Sequence, residues 1–372
     1  MPKIAFFVPQ FIAGGVQRTT LTLSSALAQR GWQIDLVFLE RSEFLNEAPG
    51  SARLVQLKAP SLLRSLAPLA RYLRNTRPDF LVASMPQVNI VSVVASALAG
   101  LSSTRLILTE VSHFSSWQHF FPSIKMSLIR LLMKITYPRA DAVVCVTQAI
   151  TDDLESFIKM GSVMLRVIPS PVSCASVAMR AAAPATFPWP RHELLEIIST
   201  LARLDRVKDI PTLIRAFDSV VHQRPTARLL IIGTGPERES LEGLVRDLGL
   251  AECVHFTGYV VDPYPLVARS RVFVLSSLIE GFPTAIVEAL VLGVPVVSTD
   301  CLSGPREILD NGRFGRLVPI ADSKALADAV LNTLLNGDII NTNDLRSRAE
   351  DFTEEHVVAE YAQLLGVLSR DK

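Results

Sequence analysis

Two acidic side chains interrupt one of the apolar stretches of this sequence. The stretch EGFPTAIVEALVLGVPVVSTD starts at Glu280, and Glu288 lies inside its run AIVEAL. Since burying an unpaired carboxylate is strongly unfavourable, a ligand or partner is expected to complete the hydrogen bonds of Glu288. A carboxylate there can accept hydrogen bonds from both hydroxyls of a ribose, and Glu280, in a turn, can hold the hydroxyls of a sugar. An internal cap or ion pair at Glu288 is the alternative.

The residues between the two acids predict the start of an anion-binding helix. Pro283 is suited to the first helical position, where no amide hydrogen is needed. The amides of Thr284 and Ala285 then lie in the first turn, where they lack partners within the helix and can bind an anion.

A loop with two cations is the second candidate. It reads LARLDRVKD from Leu201 and follows a predicted strand, with Arg203 and Lys208 flanking a turn. Arg offers a planar fork of donors and Lys a compact point charge, so the two together can clamp a diphosphate. A pair of solvated surface charges is the alternative.

A glycine pair is the third candidate. Gly14 and Gly15 lie between the first predicted strand and the first predicted helix. Paired glycines allow a backbone to approach a phosphate at a helix start. The pair does not complete the GxGxxG fingerprint, and an ordinary strand-to-helix turn explains it as well.

The elements that position these loops alternate short apolar runs with longer amphipathic ones, which is typical of parallel α/β domains. Strands are predicted in the first half at residues 4–8, 34–39, 80–83, 106–108 and 142–146, with a helix at 17–30. The second half has predicted strands at 194–200, 228–232, 254–257, 272–275 and 295–298, and helices at 210–223 and 237–248. Ligands of such sheets bind beyond the carboxyl ends of the strands, where the candidate loops lie.

The length of 372 residues predicts two domains. Their expected bounds are residues 1–172 and 191–352. A linker is expected at 173–190, within a proline-rich stretch of little periodicity. A C-terminal helix at 353–372 is expected to pack back onto the first domain.

Composition narrows the class of protein. The four cysteines form no CxxC pair and the six histidines show no metal-ligand spacing, which disfavours a disulfide framework or a structural zinc site. No Asp-x-Asp triplet occurs. The apolar run at residues 4–8 stops at Pro9, too early for a signal peptide or a membrane span. We therefore expect a cytoplasmic protein, or one peripheral to the inner face of a membrane, that holds no metal.

The net charge of +1 conceals a basic first half. Residues 53–139 contain 11 basic side chains and only two acidic ones. Segments 61–78 and 124–140 are both basic and apolar, so either can lie on an anionic membrane surface. The alternative is that their apolar sides pack on the sheet while the cations are solvated.

The candidates occur in one order with consistent spacing, and together they resemble the family 4 retaining glycosyltransferases of the GT-B fold. The segments that carry the resemblance are LIEGFPTAIVEAL, STDCLSGPREIL and NGRFGRLVP, which look like those of the bacterial surface-polysaccharide members. The resemblance implies an α/β protein of two Rossmann-like, doubly wound, parallel-sheet domains that face a central cleft. The first domain would bind the acceptor and the second the nucleotide-sugar donor.

The resemblance also implies a role for individual residues. Glu280 would contact the donor sugar, Glu288 the ribose, and Arg203 with Lys208 the diphosphate. The remaining donor contacts would come from Gly14, Gly15, Gly233, Val260 at the base, and Thr284 and Ala285 at the distal phosphate. His113, in the polar segment TEVSHF, is the candidate for a contact at the reacting sugar, although its flanking residues depart from the family pattern.

The implied reaction is transfer of a sugar, with retention and without a metal or other cofactor, from a nucleotide sugar to a growing glycan. The donor is expected to be UDP-linked, and the acceptor a lipid-linked saccharide of lipopolysaccharide, capsule or exopolysaccharide. Retention in this family is described as front-face displacement, in which the leaving phosphate accepts the proton of the acceptor. Alternatives are a nucleotide-sugar epimerase of the same architecture, a catalytically inactive partner subunit, and a bilobal binding protein. No nucleic-acid partner is expected.

Overall fold

The computed structural model describes residues 2–10, 15–40, 43–100, 103–189, 194–336 and 341–370. Two compact units are present. One comprises Met1–Pro171 with Glu354–Lys372, and the other Val172–Thr353. Each unit is built on a parallel sheet flanked by helices, in agreement with the predicted fold class.

The first unit contains a seven-stranded sheet in the order β3-β2-β1-β4-β5-β6-β7. Its strands are Lys3–Phe7 (β1), Gln33–Phe38 (β2), Arg53–Gln56 (β3), Phe80–Ser84 (β4), Arg105–Glu110 (β5), Ala142–Cys145 (β6) and Met164–Val167 (β7). Its first helices are Gly15–Gln29 (α1), Leu66–Thr76 (α2), Pro86–Ala99 (α3), Phe114–Phe120 (α4), Ile124–Thr136 (α5) and Gln148–Phe157 (α6).

The second unit contains a six-stranded sheet in the order β10-β9-β8-β11-β12-β13. Its strands are Glu196–Leu201 (β8), Ala227–Ile232 (β9), Val254–Gly258 (β10), Val272–Leu275 (β11), Val296–Thr299 (β12) and Arg316–Val318 (β13). Its helices are Cys174–Ala181 (α7), Ile210–Gln223 (α8), Arg238–Asp247 (α9), Tyr264–Val267 (α10), Thr284–Val291 (α11), Pro305–Ile308 (α12), Ser323–Asn336 (α13) and Thr342–Glu350 (α14). The last helix, Glu354–Arg370 (α15), belongs to the first unit.

The second sheet is buried on both faces, which explains its continuous apolar strands. In β9, Leu229 and Ile231 pack into one core cluster, while Leu230 and Ile232 pack into the cluster on the opposite face. Successive side chains of a strand point to opposite faces, so a strand covered on both sides needs an apolar residue at every position.

The predicted strands are present, but three short strands were missed in the sequence. These are β3, β7 and β13, of which β3 is largely exposed and β7 is half-buried. All three lie at or next to an end of a sheet, where one face or edge meets solvent and polar residues are tolerated. Each of the three strands contains a basic residue, Arg53, Arg166 or Arg316, so none of them is a continuous apolar run.

The predicted linker and the C-terminal helix, which was expected on the first domain, both contribute side chains to hydrophobic cores. The predicted linker contains helix α7, whose Val177 is buried in a core cluster of the second unit. At the C-terminus, Val357, Val358 and Tyr361 of α15 are buried in a core cluster of the first unit.

Each sheet reverses its strand order at one point. In the first unit β1 lies between β2 and β4, and in the second unit β8 lies between β9 and β11. The connections on either side of such a point run in opposite directions and leave a crevice at the carboxyl ends of the strands. The loops after β8 and β11 are the two predicted ligand-binding loops of the second unit.

Candidate functional site

The loops after β8 and β11 are joined by hydrogen bonds. The Leu278 amide donates to the Val207 carbonyl at 2.8 Å. The Ser276 hydroxyl donates to the Lys208 carbonyl, also at 2.8 Å. Because these bonds fix the backbone of the cationic loop against the turn that carries Glu280, side chains 72 residues apart are brought into direct contact.

Lys208 and Glu280 form an ion pair at this switch point. Lys208 Nζ lies 2.6 Å from Glu280 Oε1, and the side chain of Glu280 is only 9% exposed. The buried Ser277 hydroxyl donates to the same oxygen at 2.6 Å. A carboxylate so far removed from water requires such partners. Both contacts converge on Oε1, so Oε2 is the oxygen that remains to accept hydroxyl hydrogen bonds from a ligand.

Ser277 was missed in the sequence, as were the residues that brace its turn. The Thr299 hydroxyl at the end of β12 donates to the Ser277 carbonyl at 2.6 Å, and the Ser303 hydroxyl donates to the Gly281 carbonyl at 2.9 Å. Thr299 and Ser303 belong to the STDCLSG segment, which supported the family resemblance without indicating a role. A Cβ added at Gly304 would lie 2.5 Å from Pro283 Cδ, so a glycine is needed for this close approach.

Arg203 differs from Lys208 in its surroundings. Its side chain is 71% exposed, and Arg203 Nε lies 3.8 Å from Asp205 Oδ2. Lys208 is therefore held against Glu280, whereas Arg203 is largely exposed to solvent. The role of Arg203 at a diphosphate stays a prediction.

Gly233 has a structural role in the same loop region. A Cβ added at Gly233 would lie 1.9 Å from the Ala202 carbonyl oxygen, so the loop after β9 can approach the loop after β8 only with a glycine there. The backbone φ of Gly233 is +137°, which also favours glycine. This packing accounts for the residue without a ligand, and its predicted contact with the donor stays a prediction.

Helix α11 begins at Thr284, one residue later than predicted, with Pro283 preceding it as the N-cap residue. Thr284 and Ala285 therefore occupy the first turn, where helix amides can bind an anion. Glu288 lies one turn further on and is 6% exposed. The Tyr264 hydroxyl donates to Glu288 Oε1 at 3.3 Å. This phenol, from α10, is a partner that the sequence pattern did not reveal.

Val260 borders a cavity of about 430 Å³ in the second unit. Other lining residues are His255 and Thr257 of β10 and residues 184–188 of the predicted linker. Arg203, Lys208, Glu280 and Glu288 do not line it. The residues predicted to contact the diphosphate and the sugar therefore lie outside the lining of this cavity, and their contacts with a donor stay predictions.

The candidates of the first unit follow β1 and β5. Gly15 is the first residue of α1, whereas Gly14 lies outside the described residues. His113 is the N-cap of α4, and its Nδ1 accepts a hydrogen bond from the Ser116 amide at 3.3 Å. An Nδ1 that accepts a hydrogen bond has no proton in the neutral ring, so the neutral ring carries its proton on Nε2. His113 in this form is suited to donate a hydrogen bond to a sugar hydroxyl from Nε2.

Asp153 and Glu110, both missed in the sequence, support the segment around His113. Asp153 Oδ2 accepts from the Ser115 amide at 3.1 Å and lies 3.6 Å from His113 Nδ1. Glu110 is fully buried and accepts hydrogen bonds from the Asn89 amide nitrogen, at 2.6 Å, and from the Tyr137 hydroxyl. Burial raises the pKa of the Glu110 carboxyl to about 8. Complete burial makes Glu110 a structural anchor of the β5 end and not a surface for an acceptor.

No group of three or more His, Cys, Asp or Glu side chains suited to a metal ion occurs among the described residues. The four cysteines are all free thiols. At the switch point Lys208 lies against Glu280, and Arg203 lies in the same loop as Lys208.

Solved structures with the same architecture define the class of protein. The crystal structure of HepE from Anabaena in complex with UDP and glucose superposes with a TM-score of 0.78 and 20% identity, covering 99% of this chain and 100% of that one. The two doubly wound parallel sheets and this likeness show that the chain has the GT-B fold.

The chain belongs to glycosyltransferase family 4. The profile "Glycosyltransferase Family 4" matches residues 13–176, and the profile "Glycosyl transferases group 1" matches residues 196–336. The two matches together account for most of both units.

Curated relatives extend over nearly the whole chain. One is the N-acetylgalactosamine-N,N'-diacetylbacillosaminyl-diphospho-undecaprenol 4-alpha-N-acetylgalactosaminyltransferase of Campylobacter jejuni, 23% identical over 98% of this chain and 100% of its own length. Another is the lipopolysaccharide core biosynthesis glycosyltransferase LpsE of Rhizobium meliloti, 26% identical over 94% of this chain and 92% of its own. The predicted resemblance to glycosyltransferases of surface polysaccharides is thereby confirmed.

Proposed function

We propose that this glycosyltransferase moves a sugar from a UDP-sugar to a lipid-linked saccharide of a surface glycan, with retention and without a metal ion. Relatives that act in lipopolysaccharide and diphospho-undecaprenol glycan synthesis support the acceptor class, and a structural neighbour solved with UDP and glucose supports the donor. The observation that carries the proposal is the Lys208–Glu280 pair at the switch point, with the start of α11 directly after it.

The proposed reaction breaks the bond between the anomeric carbon and the diphosphate oxygen, and forms a bond from that carbon to an acceptor oxygen. Lys208, Arg203 and the first amides of α11 stabilise the charge that develops on the leaving diphosphate. The acceptor proton passes to a phosphate oxygen of the leaving group. Glu288 holds the ribose and Glu280 orients the sugar, so no enzymic nucleophile is required.

Transfer by the purified protein alone tests this proposal. The protein is incubated with UDP-sugars and with undecaprenyl-diphosphate-linked saccharides, and the product is analysed by mass spectrometry and by NMR of the new anomeric centre. We expect an acceptor extended by one sugar in the donor's anomeric configuration. A free epimerised sugar would support an epimerase instead. Transfer that needs a second protein would point to a partner subunit.

Chelation tests the absence of a metal. We expect turnover in excess EDTA to stay within about twofold of the untreated rate, because Lys208 and Arg203 supply the cationic charge at the leaving group. The measurement is the initial transfer rate with EDTA, with and without added Mg²⁺ or Mn²⁺. Loss of transfer in EDTA that either ion restores would contradict this division of charge.

A membrane-bound acceptor agrees with the exposed face of α5. Ile124, Leu128, Leu131 and Ile135 lie on one side of this helix and are 91%, 53%, 53% and 48% exposed. The opposite side packs inward through the buried residues Ile129 and Met133. Lys125 and Lys134 flank the exposed apolar stripe. We propose that the stripe enters the interface of an anionic bilayer, with the lysines at the lipid headgroups.

In segment 61–78, the apolar side of α2 packs inward, which is the alternative to contact with a membrane. Leu69 and Leu73 of α2 are buried, while Arg71 and Arg74 are exposed and solvated. No described helix is long and apolar enough to cross a bilayer. Segment 61–78 exposes Leu63, whereas α5 presents four exposed apolar side chains on one side. The proposed contact is therefore assigned to α5.

Vesicle sedimentation tests the role of α5. With vesicles that contain phosphatidylglycerol, we expect Leu128→Ser/Leu131→Ser to bind at least about tenfold more weakly than the wild type. The reason is that two leucine side chains no longer enter the interface of the bilayer. Leu302→Ser, an exposed leucine of the second unit, is the matched control. Equal sedimentation of the double variant and the control would contradict membrane contact through α5, independently of transferase activity.

A further inference from the structure

Arg180, in the last turn of α7, contacts two parts of the predicted nucleotide site at once. Its Nε lies 3.2 Å from Asp262 Oδ2, and one terminal guanidinium nitrogen donates to the Val261 carbonyl at 3.0 Å. The carbon of the same guanidinium lies 4.8 Å from the centroid of the Tyr264 ring. A planar guanidinium can make all three contacts because its edge donates hydrogen bonds while its face stacks on an aromatic ring.

Through these contacts Arg180 is linked to both residues that are predicted to bind the nucleotide. Val261 and Asp262 directly follow Val260, the residue predicted to meet the base. Tyr264 is buried, and its hydroxyl donates a hydrogen bond to Glu288, the residue predicted to hold the ribose. The Arg180 guanidinium thus contacts the segment predicted to bind the base through hydrogen bonds. It also packs on the ring of Tyr264, whose hydroxyl donates a hydrogen bond to Glu288.

Tyr264 and Glu288 are buried, which restricts the movement of their side chains. Tyr264 is 4% exposed and Glu288 6% exposed, so the phenol has little room to move when its ring is packed on the guanidinium. The side chains of Arg180 and Asp262 are each 34% exposed, so solvent weakens the charge attraction between them. The packing on the buried Tyr264 ring is therefore the contact of Arg180 that is best shielded from solvent, while the bond to the Val261 carbonyl lies at the exposed surface.

We propose that Arg180 and Tyr264 are positioning residues of the nucleotide subsite. Arg180 sets the position of segment 260–262 and of the Tyr264 ring, and Tyr264 orients the Glu288 carboxylate toward the ribose. This inference rests on the proposed function, in which Val260 and Glu288 bind the nucleotide. It assigns nucleotide affinity and base discrimination to α7, in the segment that the sequence predicted to be a linker.

The test is calorimetric titration of UDP, ADP and GDP into the full chain, with donor kinetics on the same variants. We expect Arg180→Ala to weaken UDP binding about tenfold, because the contacts to Val261, Asp262 and Tyr264 are lost. We expect Tyr264→Phe to weaken it a few-fold, because the hydrogen bond to Glu288 is lost. Arg180→Lys should lie between Arg180→Ala and the wild type, because a single amine keeps the charge without the fork. Donor KM should rise by the same factors, with kcat at saturating donor within about twofold of wild type.

Two further readouts separate positioning from a general loss of structure. The preference for UDP over ADP and GDP should fall in Arg180→Ala, because segment 260–262 is no longer held. The double variant Arg180→Ala/Tyr264→Phe should lose less affinity than the product of the single losses, as expected for residues that act through one network. Arg269→Ala is the matched control, since this exposed residue follows α10 and its guanidinium donates to the Pro265 carbonyl, with no described contact to Asp262 or Glu288.

The outcomes distinguish this inference from the proposed function. If Glu288→Gln weakens UDP binding while Arg180→Ala, Arg180→Lys and Tyr264→Phe all bind like Arg269→Ala, the inference is overturned and the proposed nucleotide site remains. If Glu288→Gln also binds all three nucleotides as the wild type does, both fail together. A fall in kcat and thermal stability in Arg180→Ala without any change in nucleotide preference would likewise overturn the positioning role.

Discussion

Replacing Lys208 with alanine is expected to slow sugar transfer by at least about tenfold. A hydrogen bond to a charged group contributes about 1.5–3 kcal/mol, and about 1.4 kcal/mol corresponds to a factor of ten in rate. The substitution removes a cation from the leaving diphosphate and also removes the partner that lies 2.6 Å from the buried Glu280 carboxylate. Both losses act in the same direction.

Arg203→Ala and Arg206→Ala complete the experiment. Arg203→Ala is also expected to reduce turnover about tenfold, but without loss of stability, since its side chain is 71% exposed. Arg206, exposed in the same loop and not assigned to the donor, is the control for charge removal. Initial rates at saturating UDP-sugar and thermal unfolding are measured for all three. Near-wild-type rates in both Lys208→Ala and Arg203→Ala would mean that the diphosphate site has been placed wrongly.

Much of the fold could be predicted because its strands are apolar runs buried on both faces. Strand β11 and helix α8 have the bounds predicted from the sequence. The edge strands could not be predicted, since a strand such as β3 with the sequence RLVQ has no apolar run to detect. Helix α7 was missed because the prolines around it suggested a linker, whereas packing of Val177 into the second core decides its structure.

The candidate site was predictable as residue types but not as contacts. The sequence indicated Lys208 and Glu280 separately, each for a different part of the donor. Their direct pairing depends on β8 and β11 being neighbours at the switch point, and strand order is a property of the whole sheet. Ser277, Tyr264 and Asp153 were missed for a related reason: a single hydroxyl or carboxylate becomes significant only when the fold places it beside a functional side chain.

Burial differs between residues that look alike in the sequence. Segments 61–78 and 124–140 have similar composition, yet Leu69 and Leu73 of α2 are buried whereas Leu128 and Leu131 of α5 are exposed. Similarly, Glu110 lies in the polar segment TEVSHF but is completely buried. Hydropathy within one segment does not determine which neighbouring elements cover it, so such distinctions require the packed structure.

The two acids that first indicated a nucleotide-sugar site should separate in their effects. Glu288 is expected to act on nucleotide binding, because the ribose is remote from the bond that breaks. Glu280 is expected to act on the sugar, including its orientation as positive charge develops at the anomeric carbon. Glu288→Gln should therefore weaken both UDP and UDP-sugar, whereas Glu280→Gln should leave UDP affinity nearly unchanged and lower turnover.

The size of each effect follows from the loss of a charged acceptor. About 1.5–3 kcal/mol corresponds to a factor of ten to more than a hundred, in UDP affinity for Glu288→Gln and in kcat for Glu280→Gln. The ion pair with Lys208 also affects the UDP affinity expected for Glu280→Gln. Lys208 Nζ lies 2.6 Å from Glu280 Oε1, and a neutral glutamine attracts the lysine less strongly, which frees it for the diphosphate. UDP affinity in Glu280→Gln should consequently be equal to, or slightly tighter than, that of the wild type.

Calorimetric titration of UDP into both variants, with thermal unfolding as the check on folding, decides between these roles. A glutamine keeps the shape of the side chain, so both variants are expected to fold. If the two folded variants lose UDP affinity equally, the sugar and ribose roles cannot be divided between Glu280 and Glu288. If only Glu280→Gln loses it, the assignments must be exchanged, because the acid paired with Lys208 would then be the one that binds the nucleotide.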